Sequence, residues 1–108
     1  MKNSENLGRY DLDALLQTLG TPKVTFCGRT FEVNESYKNF EKLQKLVKED
    51  PEKSLEILVE GVLGKDALEH LRAVEETMTA RMVKYLAISI SAAVYGMTIE
   101  EAERRFPG

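Results

Sequence analysis

Residues that could act as nucleophiles, bases or metal ligands are few in this chain. It has one cysteine, Cys27, and one histidine, His70. Nucleophilic catalysis needs a thiol or hydroxyl beside a base that a third group orients, and the sequence suggests no such group for His70. One cysteine and one histidine are too few for a Cys/His zinc site or an internal disulfide. We expect no catalytic residue, no metal and no cofactor. Cys27 should flank a turn, and His70 should lie at the surface or at the boundary of the core.

Paired carboxylates and paired glycines also occur, but their spacing favours helix structure over chemistry. Glu75-Glu76 and Glu100-Glu101 are adjacent residues in helical patterns, and consecutive side chains on a helix point about 100° apart. Such pairs are poorly placed to share a substrate or a metal ion. The segment Gly61-Val-Leu-Gly64 lacks the Lys-Ser/Thr pair that completes a phosphate-binding loop. We interpret Gly64 as the left-handed end of a helix.

The overall composition indicates one folded domain, residues 1–108, whose partners are proteins. Of its 108 residues, 43% are hydrophobic and 31% are charged, as is typical of a globular domain. A net charge of −3 gives no positive field that would favour nucleic acid or an anionic membrane. Residues 1–11 lack periodicity and an apolar stretch, so we expect a flexible arm and no secretory signal. The chain is expected to be cytoplasmic.

A nearly continuous apolar stretch runs from Met82 to Tyr95, interrupted by Lys84, Ser89 and Ser91. As a helix it would be about 21 Å long, which is too short to cross a bilayer. The stretch therefore predicts a buried helix at about 79–95. A helix that is apolar nearly all round needs neighbours on several sides, supplied by this chain or by a second one.

Residues 23–33 show the two-residue alternation of a β-hairpin. We place a type II′ turn at Gly28-Arg29, because this turn prefers glycine first. The resulting register pairs Phe26 with Phe31 and Val24 with Val33, which puts all four side chains on one face. Because a lone hairpin is unstable in water, this face must cover helices or extend a partner's sheet.

A shared interface, and hence a homo-oligomer, is predicted because so small a chain is not expected to cover the whole apolar helix. The predicted interface residues are Met82, Tyr85, Leu86, Ile88, Ile90 and Tyr95, with Phe26 and Phe31 from the hairpin.

Helical periodicity accounts for most of the remaining chain and predicts an α+β fold, mainly α, in which several short helices and the hairpin surround the apolar helix. The first helix is only about two turns long and must dock on something to be stable. It carries four leucines at i, i+3, i+4 and i+7, namely Leu12, Leu15, Leu16 and Leu19.

Several residues are predicted to begin or end the helices through capping. The predicted starts are Asn34 or Ser36, Asp50-Pro51, a capping box of Asp66 with Glu69, Thr77 or Thr79, and a second capping box of Thr98 with Glu101. Gly96 is predicted to end the apolar helix, with Met97 making the hydrophobic contact that accompanies such an end.

The last two helices could also form a helix-turn-helix, with Gly96-Met97 as the turn. DNA recognition would require polar and basic side chains on the second helix. That helix instead begins with Glu100, Glu101 and Glu103 before its two arginines, and these carboxylates would repel phosphates. We therefore expect no nucleic-acid partner.

The order of these features resembles the tail assembly chaperones of long-tailed bacteriophages and prophages, over roughly residues 23–102. The resemblance is carried by the hairpin Val-Thr-Phe-Cys-Gly-Arg-Thr-Phe-Glu-Val, the helix that begins at Asp50-Pro51 and ends Val-Leu-Gly-Lys-Asp, and the apolar helix that ends Val-Tyr-Gly-Met-Thr-Ile-Glu-Glu.

The resemblance implies a non-enzymatic protein that binds the tape measure protein and helps to recruit tail tube subunits. Members of this family often have a longer form that is made by ribosomal frameshifting. The family has no invariant binding motif, so the resemblance implies a role and not a set of site residues. The alternative is a small phage structural adaptor, such as a tail-completion or head–tail connector protein, that remains in the finished particle.

Overall fold

The computed structural model describes residues 11–105, so the predicted arm at 1–11 lies outside the described residues except for Asp11. The α+β, mainly α class is confirmed. In chain order the elements are α1 (Leu12–Leu19), β1 (Lys23–Phe26), β2 (Arg29–Glu32), α2 (Tyr37–Glu49), a 3₁₀ turn (Pro51–Lys53), α3 (Ser54–Leu58), a π-helical segment (Val59–Leu63), α4 (Lys65–Val74), a second 3₁₀ turn (Glu75–Thr77), α5 (Ala80–Tyr95) and α6 (Ile99–Arg105).

The main core forms where the hairpin face meets α2, the π segment, α4 and α5. Every one of these elements contributes fully or nearly fully buried apolar side chains to one cluster. A smaller cluster joins α5 to α6 through Ile88, Ala92 and Ala102. The main cluster includes Val24, Phe26, Phe31, Val33, Phe40, Leu43, Val59, Val62, Leu71, Leu86 and Ile90.

The hairpin turn differs from the prediction. Its central residues are Cys27 and Gly28, with φ of 48° and 84°, and the strands pair Phe26 with Arg29. Two central residues with positive φ define a type I′ turn, whose twist matches the right-handed twist of the strands. The predicted type II′ turn at Gly28-Arg29 is therefore wrong, and Cys27 lies within the turn instead of beside it.

The predicted pairing of Phe26 with Phe31 is wrong for the same reason, because Val24 is the residue opposite Phe31. The register is shifted by two residues from the predicted one. Since side chains alternate between faces with a period of two, a shift of two leaves each side chain on its predicted face. The four large apolar side chains are accordingly buried on one side of the hairpin.

The ends of α5 and the start of α6 follow the predicted capping. The Thr79 hydroxyl accepts a hydrogen bond from the Met82 N–H at 3.1 Å. At the other end Gly96 is left-handed and the Met97 N–H donates to the Ala92 carbonyl at 2.9 Å, as in a Schellman motif. The second predicted capping box, Thr98 with Glu101, is confirmed by reciprocal hydrogen bonds of 2.9 and 3.1 Å.

The first predicted capping box does not form. Helix α4 begins at Lys65, with Gly64 as its N-cap and no side-chain capping bond. Asp66 therefore lies inside the first turn, where its charge favours the helix dipole but its side chain cannot cap. Gly64 has a positive φ of 103°, but its ψ of 172° is outside the left-handed helical region that was predicted.

Close approach of α2 to the π segment depends on Gly61. A Cβ on this residue would overlap the Cδ atoms of Leu43, which is itself buried. The same approach brings the Asn39 amide to 2.9 Å from the Gly61 carbonyl and the Asn34 N–H to 2.9 Å from the Val62 carbonyl. These bonds hold the start of α2 against the π-helical segment, whose own backbone hydrogen bonds depart from the α-helical pattern.

We predict that Gly61→Ala lowers the free energy of unfolding by about 1–3 kcal/mol, because overpacking against Leu43 outweighs the gain in helix propensity. Urea denaturation measures the difference. Glu60→Ala, at the exposed neighbouring position, is the matched control and should change stability by less than about 0.5 kcal/mol. Equal unfolding midpoints for the two variants would contradict the contact.

We predict opposite effects for two substitutions of Cys27. Cys27→Asn should stabilise the protein by up to about 1 kcal/mol, because asparagine tolerates the left-handed conformation that other L-residues disfavour. Cys27→Val should destabilise it, since a β-branched residue is poorly suited to positive φ. Cys27 is exposed, so neither substitution removes core packing. The unfolding midpoints of the two variants therefore compare the backbone preferences of asparagine and valine directly.

Candidate functional site

Five of the eight residues predicted at an interface are buried within this chain. On α5, Leu86, Ile88 and Ile90 are exposed by 5%, 7% and 0%. On the hairpin, Phe26 and Phe31 are also buried. Their side chains pack against the chain's own core, so the surface offered to a partner must be sought among other residues.

His70 is positioned under the hairpin by α4. Its ring lies 5.0 Å from that of Phe26 and 5.8 Å from that of Phe31, measured between centroids. Its Nε2 lies 3.2 Å from the Phe26 carbonyl and 3.1 Å from the Cys27 carbonyl, and an N–H at this position can donate to both. His70 therefore supports the turn, which gives it a structural role at the core boundary.

The N-terminal end of α5 projects beyond the core. All five residues from Arg81 to Tyr85 are exposed, and three of them are apolar or aromatic. We call Met82, Val83 and Tyr85 the α5 patch; each is 37–40% exposed. Two of the predicted interface residues, Met82 and Tyr85, thus lie on accessible surface.

Local contacts hold the side chains of the α5 patch in place. The Met82 sulfur accepts a hydrogen bond from the Thr79 N–H at 3.4 Å. The Tyr85 hydroxyl donates to the Glu103 carboxylate at 3.1 Å, which links α5 to α6. The Lys84 ammonium lies 5.3 Å from the centroid of the Tyr85 ring. Arg81 and Lys84 together outweigh the Glu103 carboxylate, so the surroundings of the patch are net positive.

Tyr95, the remaining predicted interface residue, lines a groove between α2 and α5. Its ring meets that of Phe40 edge-to-face at 5.4 Å, and the Arg105 guanidinium lies 5.5 Å from its centroid. Tyr37, on the opposite wall, is 68% exposed. The α2–α5 groove has a volume of about 140 Å³ and is lined by Glu35, Tyr37, Phe40, Glu41, Gln44, Val94 and Tyr95.

The four leucines of α1 form the most exposed apolar surface among the described residues. They are 47–68% exposed, and α1 buries none of its residues. We call Leu12, Leu15, Leu16 and Leu19 the leucine stripe. Their spacing already predicted a helix that must dock, yet they were not included among the predicted interface residues. The described part of the chain provides no cover for them.

The described residues show no arrangement that would hold a metal ion. Within residues 11–105, no three side chains of the types His, Cys, Asp and Glu lie together as a possible metal site. In the same range, no single helix is both long and apolar enough to span a membrane. Helices α5 and α6 pass that test only when taken together, and they meet at a bend of 101°.

No family model, curated protein or solved structure matches this chain. The functional argument therefore depends on the surface: the leucine stripe, the α5 patch and the α2–α5 groove. All three are apolar, lie at helices, and have charged residues nearby. Such surfaces are typical of sites that bind other proteins.

We predict that a substitution on the buried face of α5 costs more stability than one at its accessible end. Ile90→Ala should lower the free energy of unfolding by about 2–5 kcal/mol, because it leaves a cavity at a fully buried position. Val83→Ala, in the α5 patch, should cost less than about 1 kcal/mol. Urea denaturation at one fixed protein concentration compares them, and similar losses would contradict this division of the helix.

Proposed function

We propose that this protein is a tail assembly chaperone of a long-tailed bacteriophage or prophage. It acts without catalysis in the cytoplasm of the host cell, associates with copies of itself, binds the tape measure protein and helps to recruit tail tube subunits. The observation that carries this proposal is a chain with a well-buried main core that nevertheless leaves apolar surface exposed, at the leucine stripe and the α5 patch for self-association and at the α2–α5 groove for a client.

Exposed apolar helical surface suits a chaperone that associates with copies of itself while it binds a long, largely helical client. An amphipathic helix binds another helix or a groove through residues on one face, at the i, i+3, i+4 and i+7 positions. The leucine stripe has this spacing. Methionine adapts its shape to different partners, and Met82 is the exposed methionine of the α5 patch.

The α2–α5 groove is the best candidate for direct contact with a client. Tyr37 and Tyr95 provide aromatic walls, and aromatic residues commonly anchor protein interfaces. Glu35 and Glu41 lie at its edge, and Lys38 pairs with Glu41 at 3.9 Å. A client segment with an apolar face and a Lys or Arg beside Glu35 would match both the shape and the charge of the groove.

A structural adaptor is the competing function, because it too would need exposed apolar surface for its neighbours in the particle. The two functions differ in where the protein is found after assembly. A chaperone should be missing from purified virions, whereas an adaptor should be present in a fixed ratio to the other tail proteins. Mass spectrometry of purified particles separates them.

We predict that co-expression with the cognate tape measure protein increases the soluble fraction of that client. Tyr37→Glu should weaken binding about fivefold or more, because loss of an aromatic anchor at a hot spot costs over about 1 kcal/mol. Lys45→Glu, on the same helix and also exposed, is the control and should retain binding. A client that is equally soluble without this chain would overturn the proposal.

A further inference from the structure

The leucine stripe belongs to α1, a helix that is capped at both ends but packs none of its side chains in the core. The Asp11 carboxylate caps its start by accepting a hydrogen bond from the Ala14 N–H at 3.1 Å. Its end is closed by the Gly20 N–H, which donates to the Leu16 carbonyl at 3.1 Å. Capping gives the helix a defined position for its leucines, but two turns are marginally stable without tertiary contacts. A partner surface is needed.

The connection between α1 and β1 limits where α1 can find that surface. It consists of Gly20, Thr21 and Pro22, and three residues span at most about 10 Å. Pro22 is itself held to the hairpin, since its carbonyl accepts a hydrogen bond from the Val33 N–H at 3.0 Å. Helix α1 therefore projects from a fixed point at the start of the hairpin.

The α5 patch complements the leucine stripe in both polarity and charge. The stripe is flanked at its N-terminal end by Asp11 and Asp13, and residues 11–20 contain no Lys or Arg. The patch is flanked by Arg81 and Lys84, both exposed, and by the Glu103 carboxylate that accepts from the Tyr85 hydroxyl, so its surroundings are net positive. Apolar side chains would thus meet apolar side chains while the two carboxylates of the stripe approach a net positive surface.

We propose that two copies of this chain pair reciprocally, with the leucine stripe of each copy packed on the α5 patch of the other. Each copy then contributes one donor helix and one acceptor surface, so the arrangement closes as a two-fold dimer and leaves neither surface free to extend a filament. Pairing of α1 with the second copy's α1 would leave both α5 patches exposed and would forgo the charge complementarity.

The dimer goes beyond the proposed function because it assigns the surfaces through which self-association occurs. It needs no client for its test. The inference rests on the self-association in the proposed function. A wild-type protein that binds the client but is a monomer, or a dimer that survives Leu15→Glu, would remove the pairing and leave client binding intact. A dimer that pairs as proposed but does not bind the client would remove the chaperone function and leave the pairing intact.

The first test is light scattering of the full-length protein over a concentration series. We expect a dimer that dissociates on dilution. Leu15→Glu should give a monomer at every concentration, and its helical circular dichroism should fall by no more than the eight residues of α1 account for, because α1 buries none of its residues. The control is Leu46→Glu, at a position 40% exposed on α2, which should remain a dimer. A wild-type monomer, or a dimer that survives Leu15→Glu, would overturn the pairing.

The second test exchanges the charges. Asp13→Arg and Arg81→Asp should each raise the dissociation constant of the dimer several-fold, and the two together in one chain should restore it. Both residues are exposed, so neither change disturbs the core. Failure of the double variant to recover would contradict the pairing of α1 with α5, and a dimer weakened by Asp13→Arg but insensitive to Arg81→Asp would instead indicate contact between two copies of α1.

Discussion

The buried face of the hairpin is the constraint on which the rest of this structure depends. A two-stranded sheet has no stability of its own in water and must be covered on its apolar side. Here Phe26 and Phe31 share a cluster with side chains from α2, α4 and α5, and His70 contacts both rings while supporting the turn. Helices distant in sequence are thereby held on one small surface. Helix α1 and the first turns of α5 lie outside that surface.

Sequence patterns predicted which side chains face inward better than they predicted what lies opposite them. The buried face of the hairpin was predicted correctly although its register was not. Alternation of apolar residues shows which side chains share a face, and a register shift of two residues leaves every side chain on the same face. The observed register places Cys27 at a positive φ, a conformation that L-residues other than asparagine and aspartate disfavour, so the residue types did not predict it. Similarly, Thr98 and Glu101 formed their capping box, whereas α4 began two residues too early for Asp66 to cap.

Surface prediction had a different limit. An apolar helix reveals that it needs neighbours, but its periodicity does not say which chain supplies them. Within this chain Leu86 and Ile90 are covered by the hairpin cluster, while the first turns of α5 extend past it. The same limit applies to the leucines of α1. Their spacing implies a docking site, and only the folded structure shows that residues 11–105 do not provide one.

The π-helical segment at Val59–Leu63 makes the position of α4 depend on the length of the chain before it. Val59, Val62 and Leu63 of this segment face the core, and Gly61 approaches α2. Only Gly64 joins the segment to α4, so a change in its length would move α4. That movement would displace His70, whose Nε2 lies 3.1 and 3.2 Å from the carbonyls of the hairpin turn. Insertions and deletions at this point are therefore far less neutral than equal changes in an exposed loop, and the spacing between α2 and α4 is as much a determinant of the fold as the identity of any core side chain.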